Sequence, residues 1–210
     1  MLRGLFIVVI LSFATLGASM AEACQRPNMP RGADKVVPTS RINQSLFNKA
    51  VLAEVNYYRC RNGRKSLRGS QALVKSANGH SAWMAKNQKL SHTSSQRGQR
   101  DIGQRIRRTY GKFSRASENI ASVQRFLIDN GQVYYPKNVQ NCHFETSNRQ
   151  RIPPHTYASL AKRIVKLWVD SPSHRRNIMD SNVQYVGTAI QFDAKYRNCG
   201  AYFATQNFAG

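Results

Sequence analysis

The chain has 210 residues, of which 32 are Lys or Arg and 10 are Asp or Glu, a formal net charge of +22. Such an excess produces a field that attracts anionic surfaces. The basic residues are scattered and not grouped with stacking aromatics, which argues against a nucleic-acid binder and leaves lipid headgroups, envelope polyanions or solubility as what the charge serves.

At the N-terminus a short basic start, Met1-Leu2-Arg3, runs into an apolar stretch from Leu5 to about Leu16 and then into small residues from Gly17. That is the layout of a cleaved export signal, with the cut expected after Ala23. The stretch is shorter than the roughly 20 apolar residues that cross a bilayer. Acylation of Cys24 is the alternative, but the residues before it lack a leucine and place Glu22 near the cut. No later apolar run is long enough to span a membrane, so the mature protein is expected to be exported, to the periplasm or outside the cell. Cleavage removes Arg3 and Glu22 together and leaves the charge at +22. About 187 residues remain, the size of one domain with a sizeable core.

Residues 24–43 are rich in Pro, Arg and Gly and read as an arm, followed by a domain over residues 44–210. Leu46, Ala50, Ala53 and Tyr57, flanked by Phe47, Val51 and Val55, recur at helical spacing, and Asn62-Gly63 closes that first helix. A second helix begins after Ser70, carries Leu73, Ala77, Ser81 and Met84 on one face, and is expected to end near Leu90, with Ser91-His92 at its exit. The polar stretch from Thr93 to Arg115 holds a short helical candidate at Ile102 to Tyr110, before the segment Ser117-Glu118-Asn119-Ile120-Ala121. Asp129 to Pro154 lacks periodicity and reads as a long loop. A third helix has Tyr157, Leu160, Ala161, Ile164, Val165 and Trp168 on its buried stripe, and Ser171-Pro172 starts a fourth, Ser suiting the cap and Pro the first helical position. Val186, Thr188, Ile190 and Phe192 alternate in one strand, Tyr202 to Phe208 forms another, and Asp193 to Asn198 turns between them. Helices set around a small antiparallel sheet give an α+β domain.

Four cysteines, Cys24, Cys60, Cys142 and Cys199, in an oxidising compartment read as two disulfides. They admit three pairings, among which the sequence does not choose. Cys24 with Cys60, pinning the arm to a helix end, and Cys142 with Cys199 is the preferred one. No cysteine is left over to act as a thiol nucleophile.

Five short patterns occur in one order: Asn56-x-x-Arg59, Leu90-Ser91-His92, Glu118-Asn119-Ile120-Ala121, Trp168-x-x-Ser171-Pro172-Ser173-His174-Arg175-x-Asn177-Ile178, and Thr205-Gln206-x-Phe208. Together they resemble the bacterial branch of the CAP superfamily of cysteine-rich secretory, antigen-5 and pathogenesis-related proteins, over residues 44–210. The resemblance implies an α-β-α sandwich with a central cleft faced by two histidines and two acids. His92 and His174 match the two histidines and Glu118 the acid of the Glu-Asn pattern. The second acid of many relatives falls three residues after the tryptophan, where this chain has Ser171, and Asp170 would point about 100 degrees away around the helix. A three-member cleft is therefore expected.

The same residues make chemical sense without a family. His174 lies in the first turn of a helix, where the positive end of the dipole disfavours protonation, and a neutral imidazole is the form that binds metal. His92 offers a second nitrogen and Glu118 can orient a ring, so a weakly held Zn²⁺ or other divalent cation on His92 and His174 is one expectation. A hydrogen-bonded network tying three segments together is the other. His80 reads as a satisfied, partly buried side chain, His143 and His155 belong to the irregular region, Trp168 is core, and Asn56 and Arg59 tie the first helix to its neighbours. Three function classes follow. The first is a non-enzymatic binding module for a lipid, a glycan or a protein. The second is a weak metal-dependent hydrolase, against which stand the missing second acid, the absence of a His-Glu-x-x-His helix and the absence of a Gly-x-Ser-x-Gly elbow. The third is a cationic envelope-binding or antimicrobial protein.

Overall fold

The structure, a computed structural model, describes residues 24–128 and 133–210; the expected export signal lies outside them. Asn43 caps α1 (Gln44–Arg61) by accepting from the Leu46 N–H, and Ser70 caps α2 (Gln71–Asn87) by accepting from that of Leu73. Between them runs β1 (Arg68–Gly69). Asp101 caps α3 (Ile102–Thr109), which leads into β2 (Ala116–Gln124). β3 (Tyr134–Asn138) and β4 (His143–Thr146) form a hairpin, and a Thr156/Ser159 capping box opens α4 (Tyr157–Asp170). Pro172 then begins α5 (Pro172–Met179), and β5 (Tyr185–Asp193) and β6 (Ala201–Ala209) end the chain.

The sheet runs β1-β5-β6-β2, antiparallel except for the two-residue parallel pairing of β1 with β5. Every residue of β6 is buried, because helices cover both faces. On one face Phe47, Ala50, Val51 and Val55 of α1 and Leu160, Ile164 and Trp168 of α4 meet Val186, Ile190, Tyr202 and Phe208. On the other, α2 lays Trp83 and Met84 on Ile120 and Phe203, and Val74 and Ala77 on Ala189. Full burial of each large side chain here contributes about 1.5–3 kcal/mol. α2 sits so close to β5 that a Cβ at Gly187 would collide with the backbone of Leu73 and Val74. The result is the expected α-β-α sandwich.

Three sequence expectations need correction and a fourth needs completion. α2 stops at Asn87, where Gln88 takes a left-handed conformation, and not near Leu90. Ser117–Ala121, to which the sequence assigned no element, lies within a nine-residue strand, so β2 joins β5 and β6 in the expected antiparallel sheet. The region after Asp129 contains the β3–β4 hairpin instead of an unstructured loop, and Phe144 packs it against Phe126 and Ile152. The arm is no free linker: Ala33 and Val37 are buried in the main core, and the Tyr202 hydroxyl donates to the Val37 carbonyl.

Both preferred disulfides are present, Cys24–Cys60 and Cys142–Cys199. Asn56 exchanges two hydrogen bonds with the Leu67 backbone, and Arg59 donates to the carbonyls of Lys65, Ile178 and Asp180, so both tie α1 to its neighbours. Trp168 is fully buried, and its Nε1 donates to the Ile120 carbonyl.

Candidate functional site

β2 sets the site. Strand alternation turns Glu118 to the same side as Ile120, which packs under α2, while Asn119 turns toward α5. Glu118 is buried and holds three segments at once. Arg105, on the inner face of α3, donates from one terminal nitrogen to both carboxylate oxygens, at 2.9 and 2.8 Å. His92 donates from Nδ1 to Oε1 at 2.9 Å. The same Arg105 donates to the His92 carbonyl, and its other terminal nitrogen reaches the carbonyls of Gln99 and Arg100, so the guanidinium also shapes the loop that presents His92.

His80 lies behind this pair. It is 1% exposed, stacks on Trp83, and donates from Nε2 to the Ser91 carbonyl, leaving Nδ1 as a buried acceptor without a partner. Nε2 lies 3.9 Å from Glu118 Oε1. Burial, against the pull of Glu118 and with a smaller push from Arg105, lowers the His80 pKa below its ordinary value. The reading of His80 as a satisfied and merely partly buried side chain is thus corrected. It is a wall of the site, one ring nitrogen is unsatisfied, and the hydrogen bond it does make places the residue before His92.

His174 approaches from α5. Asn119 Nδ2 donates to its carbonyl at 3.3 Å, and Asn177 Nδ2 donates to the Glu118 carbonyl and to Asn119 Oδ1. Asn119 continues to Gln206, which reaches Thr188, so a polar seam runs inward from the site. The His174 pKa is lowered, first by burial and then by the charge of His92. His92 and Glu118 thus meet directly, with the His92 side chain 55% exposed, while Asn119 and Asn177 tie the start of α5, where His174 lies, to the strand that carries Glu118.

Ser171 stands at the position of the second acid of many relatives, its hydroxyl beside that of Ser173. Asp170 is occupied on the surface by Lys166 at 2.8 Å. His143 pairs with Glu145, and His155 is buried with its Nδ1 at the Ser159 hydroxyl. Cys142, next to His143 in the chain, is committed to its disulfide with Cys199.

Arg105 and the role of His80 fall outside the sequence motifs, yet both leave a signal. Ile102, Arg105, Ile106 and Thr109 share one helical face, which puts a cation among apolar residues. His80 follows Ala77 by three and precedes Met84 by four, on the stripe that packs against the sheet.

With this geometry in view, the chain belongs to the cysteine-rich secretory protein (CAP) family, whose model matches residues 52–208. By sequence, no curated protein matches it. The fold is similar to that of an extracellular protein containing an SCP domain from Bacillus anthracis, at 21% identity and a TM-score of 0.52 over 79% of this chain. It is also similar to an outer surface protein from Borrelia burgdorferi, at 17% identity and a TM-score of 0.51 over 77% of this chain and 90% of that one. The match spans 41% of the Bacillus anthracis protein's length.

Proposed function

We propose that this is an exported, non-catalytic binding module whose cleft, centred on His92, Glu118 and His174, presents its two imidazoles to a lipid, a glycan or another protein. One observation carries the reading: the carboxylate of the cleft is occupied by a buried guanidinium. A general base or acid needs a carboxyl group free to exchange a proton with a substrate. Glu118 has both oxygens on Arg105 and one on His92, while Ser171 supplies no second carboxylate. What remains for a ligand is the exposed ring of His92 beside His174. The two disulfides and the extracellular or outer-surface character of the similar structures support export.

A second reading has its own support. A histidine that donates one ring nitrogen to a carboxylate is held in the tautomer whose other nitrogen ligates metal. His92 has that arrangement, and His174 is kept toward its neutral form. These two imidazoles would hold a divalent cation such as zinc, which could polarise an oxygen ligand. Glu118 is spent on Arg105, and among the described residues no three His, Cys, Asp or Glu side chains stand together as a metal group. Two nitrogens fall short of the three or four protein ligands of tight zinc sites.

The test is a lipid and glycan array probed with the exported protein and with a His92→Ala/His174→Ala variant. Saturable binding that the double variant loses supports the cleft. Binding that the variant retains places the ligand elsewhere and leaves the cleft a structural network.

A further inference from the structure

Arg59 has one guanidinium nitrogen to spare. The residue is 2% exposed, and it donates from Nε to the Lys65 carbonyl and from Nη1 to the carbonyls of Ile178 and Asp180. Nη2 makes no hydrogen bond among the described residues, yet it is not sealed from solvent. Burial, followed by the charge of Arg64 and opposed by the pull of Asp180, lowers the Arg59 pKa below its ordinary value. The Asp180 carboxylate is engaged elsewhere, one oxygen held by Arg115 at 2.8 Å and the other accepting from the Asn182 N–H at 2.9 Å. A guanidinium this deep with a free donor is costly unless an anion pairs with it.

Arg59 lines a cavity of about 410 Å³ at the end of α1. Lys65 and Arg68 stand around it, with Ser66, Ser181 and Gln184 as further polar lining, and these five residues are exposed. Among the described residues no carboxylate lines the cavity, and neither Lys65 nor Arg68 has an ion-pair partner. The walls are fixed. Cys60 is bonded to Cys24, and the Arg68 N–H donates to the Gln184 carbonyl, which joins β1 to the chain ahead of β5. The carbonyls of Arg59 and Cys60 accept from the N–H groups of Asn62, Gly63 and Arg64, so these two helix-end acceptors are already bonded and do not compete for the cations.

We propose that this cavity binds a phosphomonoester, its phosphate on Arg59, Lys65 and Arg68 and the rest of the molecule against Ser66, Ser181 and Gln184. Three cations without an acid suit a group that carries close to two negative charges and three acceptor oxygens better than they suit a single carboxylate. Guanidinium and ammonium groups both pair with phosphate, the first as a fork and the second as a point charge. Depth selects the ester. Arg59 is recessed, so a terminal phosphate reaches it, whereas the phosphodiesters along a polyanion would meet only the exposed Lys65 and Arg68. The volume lies within the range of about 300–1,000 Å³ of small-molecule sites, room for more than a bare ion. No residue of this cavity belongs to the His92 cleft.

The experiment is an NMR titration of the exported, oxidised protein with glycerol 3-phosphate, and with glycerol as the control. Glycerol 3-phosphate should shift the amides of Lys65, Ser66, Ser181 and Gln184 saturably, together with the Arg59 Nε–H signal, and glycerol should shift none of them. Arg59 is left intact because it ties α1 to the end of α5. A Lys65→Gln/Arg68→Gln variant should bind about tenfold more weakly. A Lys86→Gln/Lys195→Gln variant, with the same change of charge at the far end of β5, should bind as the parent does, and circular dichroism on both variants separates loss of binding from loss of fold. Equal losses in the two variants would reduce the effect to the overall field and overturn the proposal. So would the absence of saturable shifts, or shifts at the surface amides that leave the Arg59 signal in place. Vesicles of phosphatidylcholine containing phosphatidic acid carry the same group on a lipid. Retention on them that glycerol 3-phosphate reverses and the Lys65→Gln/Arg68→Gln variant lacks assigns the site to a lipid headgroup, while saturation by glycerol 3-phosphate without such retention assigns it to a soluble molecule. Since none of these positions lies in the His92 cleft, failure here leaves the cleft reading standing.

Discussion

Arg105 and Glu118, each with its side chain 2% exposed, form a buried ion pair in which one guanidinium nitrogen meets both carboxylate oxygens. The pair joins α3 to β2, and through the His92 carbonyl it also fixes the loop that carries His92. Removing one member leaves the other charge buried without compensation, a loss of about 3–5 kcal/mol, whereas replacing both with apolar groups of similar volume is often neutral. Arg105→Met and Glu118→Leu should each lower the melting temperature, by roughly 2–4 °C per kcal/mol in a domain of this size. The double variant should recover most of that loss. Thermal unfolding of the three variants measures it, and additive losses would mean that the pair is not a coupled unit.

His80 couples the same region to pH. Burial lowers its folded pKa below the ordinary histidine value, and His174 is lowered in the same direction. Between the lowered folded value and the ordinary value near 6.5 the unfolded chain binds more protons than the folded one. The stability these groups confer is thus fully present above about pH 6.5 and declines as pH falls toward their folded pKa values. Denaturant midpoints across that range should fall on acidification, and less steeply in a His80→Gln variant. An identical slope in parent and variant would remove His80 as a source.

The helices and the paired strands β5 and β6 are legible in the sequence because their apolar residues recur at the helical or strand period. β2 is not. It carries Glu118, Asn119 and Ser122 through the middle of a strand, with a helical layer on each side, so inward and outward positions do not separate by polarity. Motif order singles out His92, Glu118 and His174, but not the chemical state of Glu118. The partner that occupies Glu118 comes from α3, thirteen residues upstream in a polar stretch whose Arg105 resembles every other arginine of a strongly basic chain. Only the helical register of Ile102, Arg105 and Ile106 distinguishes it.

The disulfides close long loops, with sequence separations of 36 and 57. In the chain-entropy picture each contributes about 4 kcal/mol by restricting the unfolded state. Thiol titration of the unfolded, unreduced protein should find no free cysteine. A Cys142→Ser/Cys199→Ser variant should unfold at lower denaturant, and its hairpin amides should exchange faster than those of β5 and β6, because Phe126, Phe144 and Ile152 alone would hold the hairpin. Uniform protection across hairpin and sheet would mean that this cluster suffices.

Zinc binding decides between the two readings of the cleft. His92 is oriented by Glu118, and His174 is kept toward its neutral form by burial and by the charge of His92. Both conditions favour imidazole as a ligand. With two protein nitrogens, binding should be modest and the fold should survive a chelator, unlike a four-ligand structural site. Because the rings must be deprotonated to coordinate, affinity should fall as pH drops through the histidine range. Calorimetric titration above and below that range, with the parent and with His92→Ala and His174→Ala variants, measures this. Each single variant should lose most of the affinity, since a single imidazole cannot replace a pair. Parental affinity in either variant would show that the two rings do not share an ion, and the cleft would then act through hydrogen bonds alone.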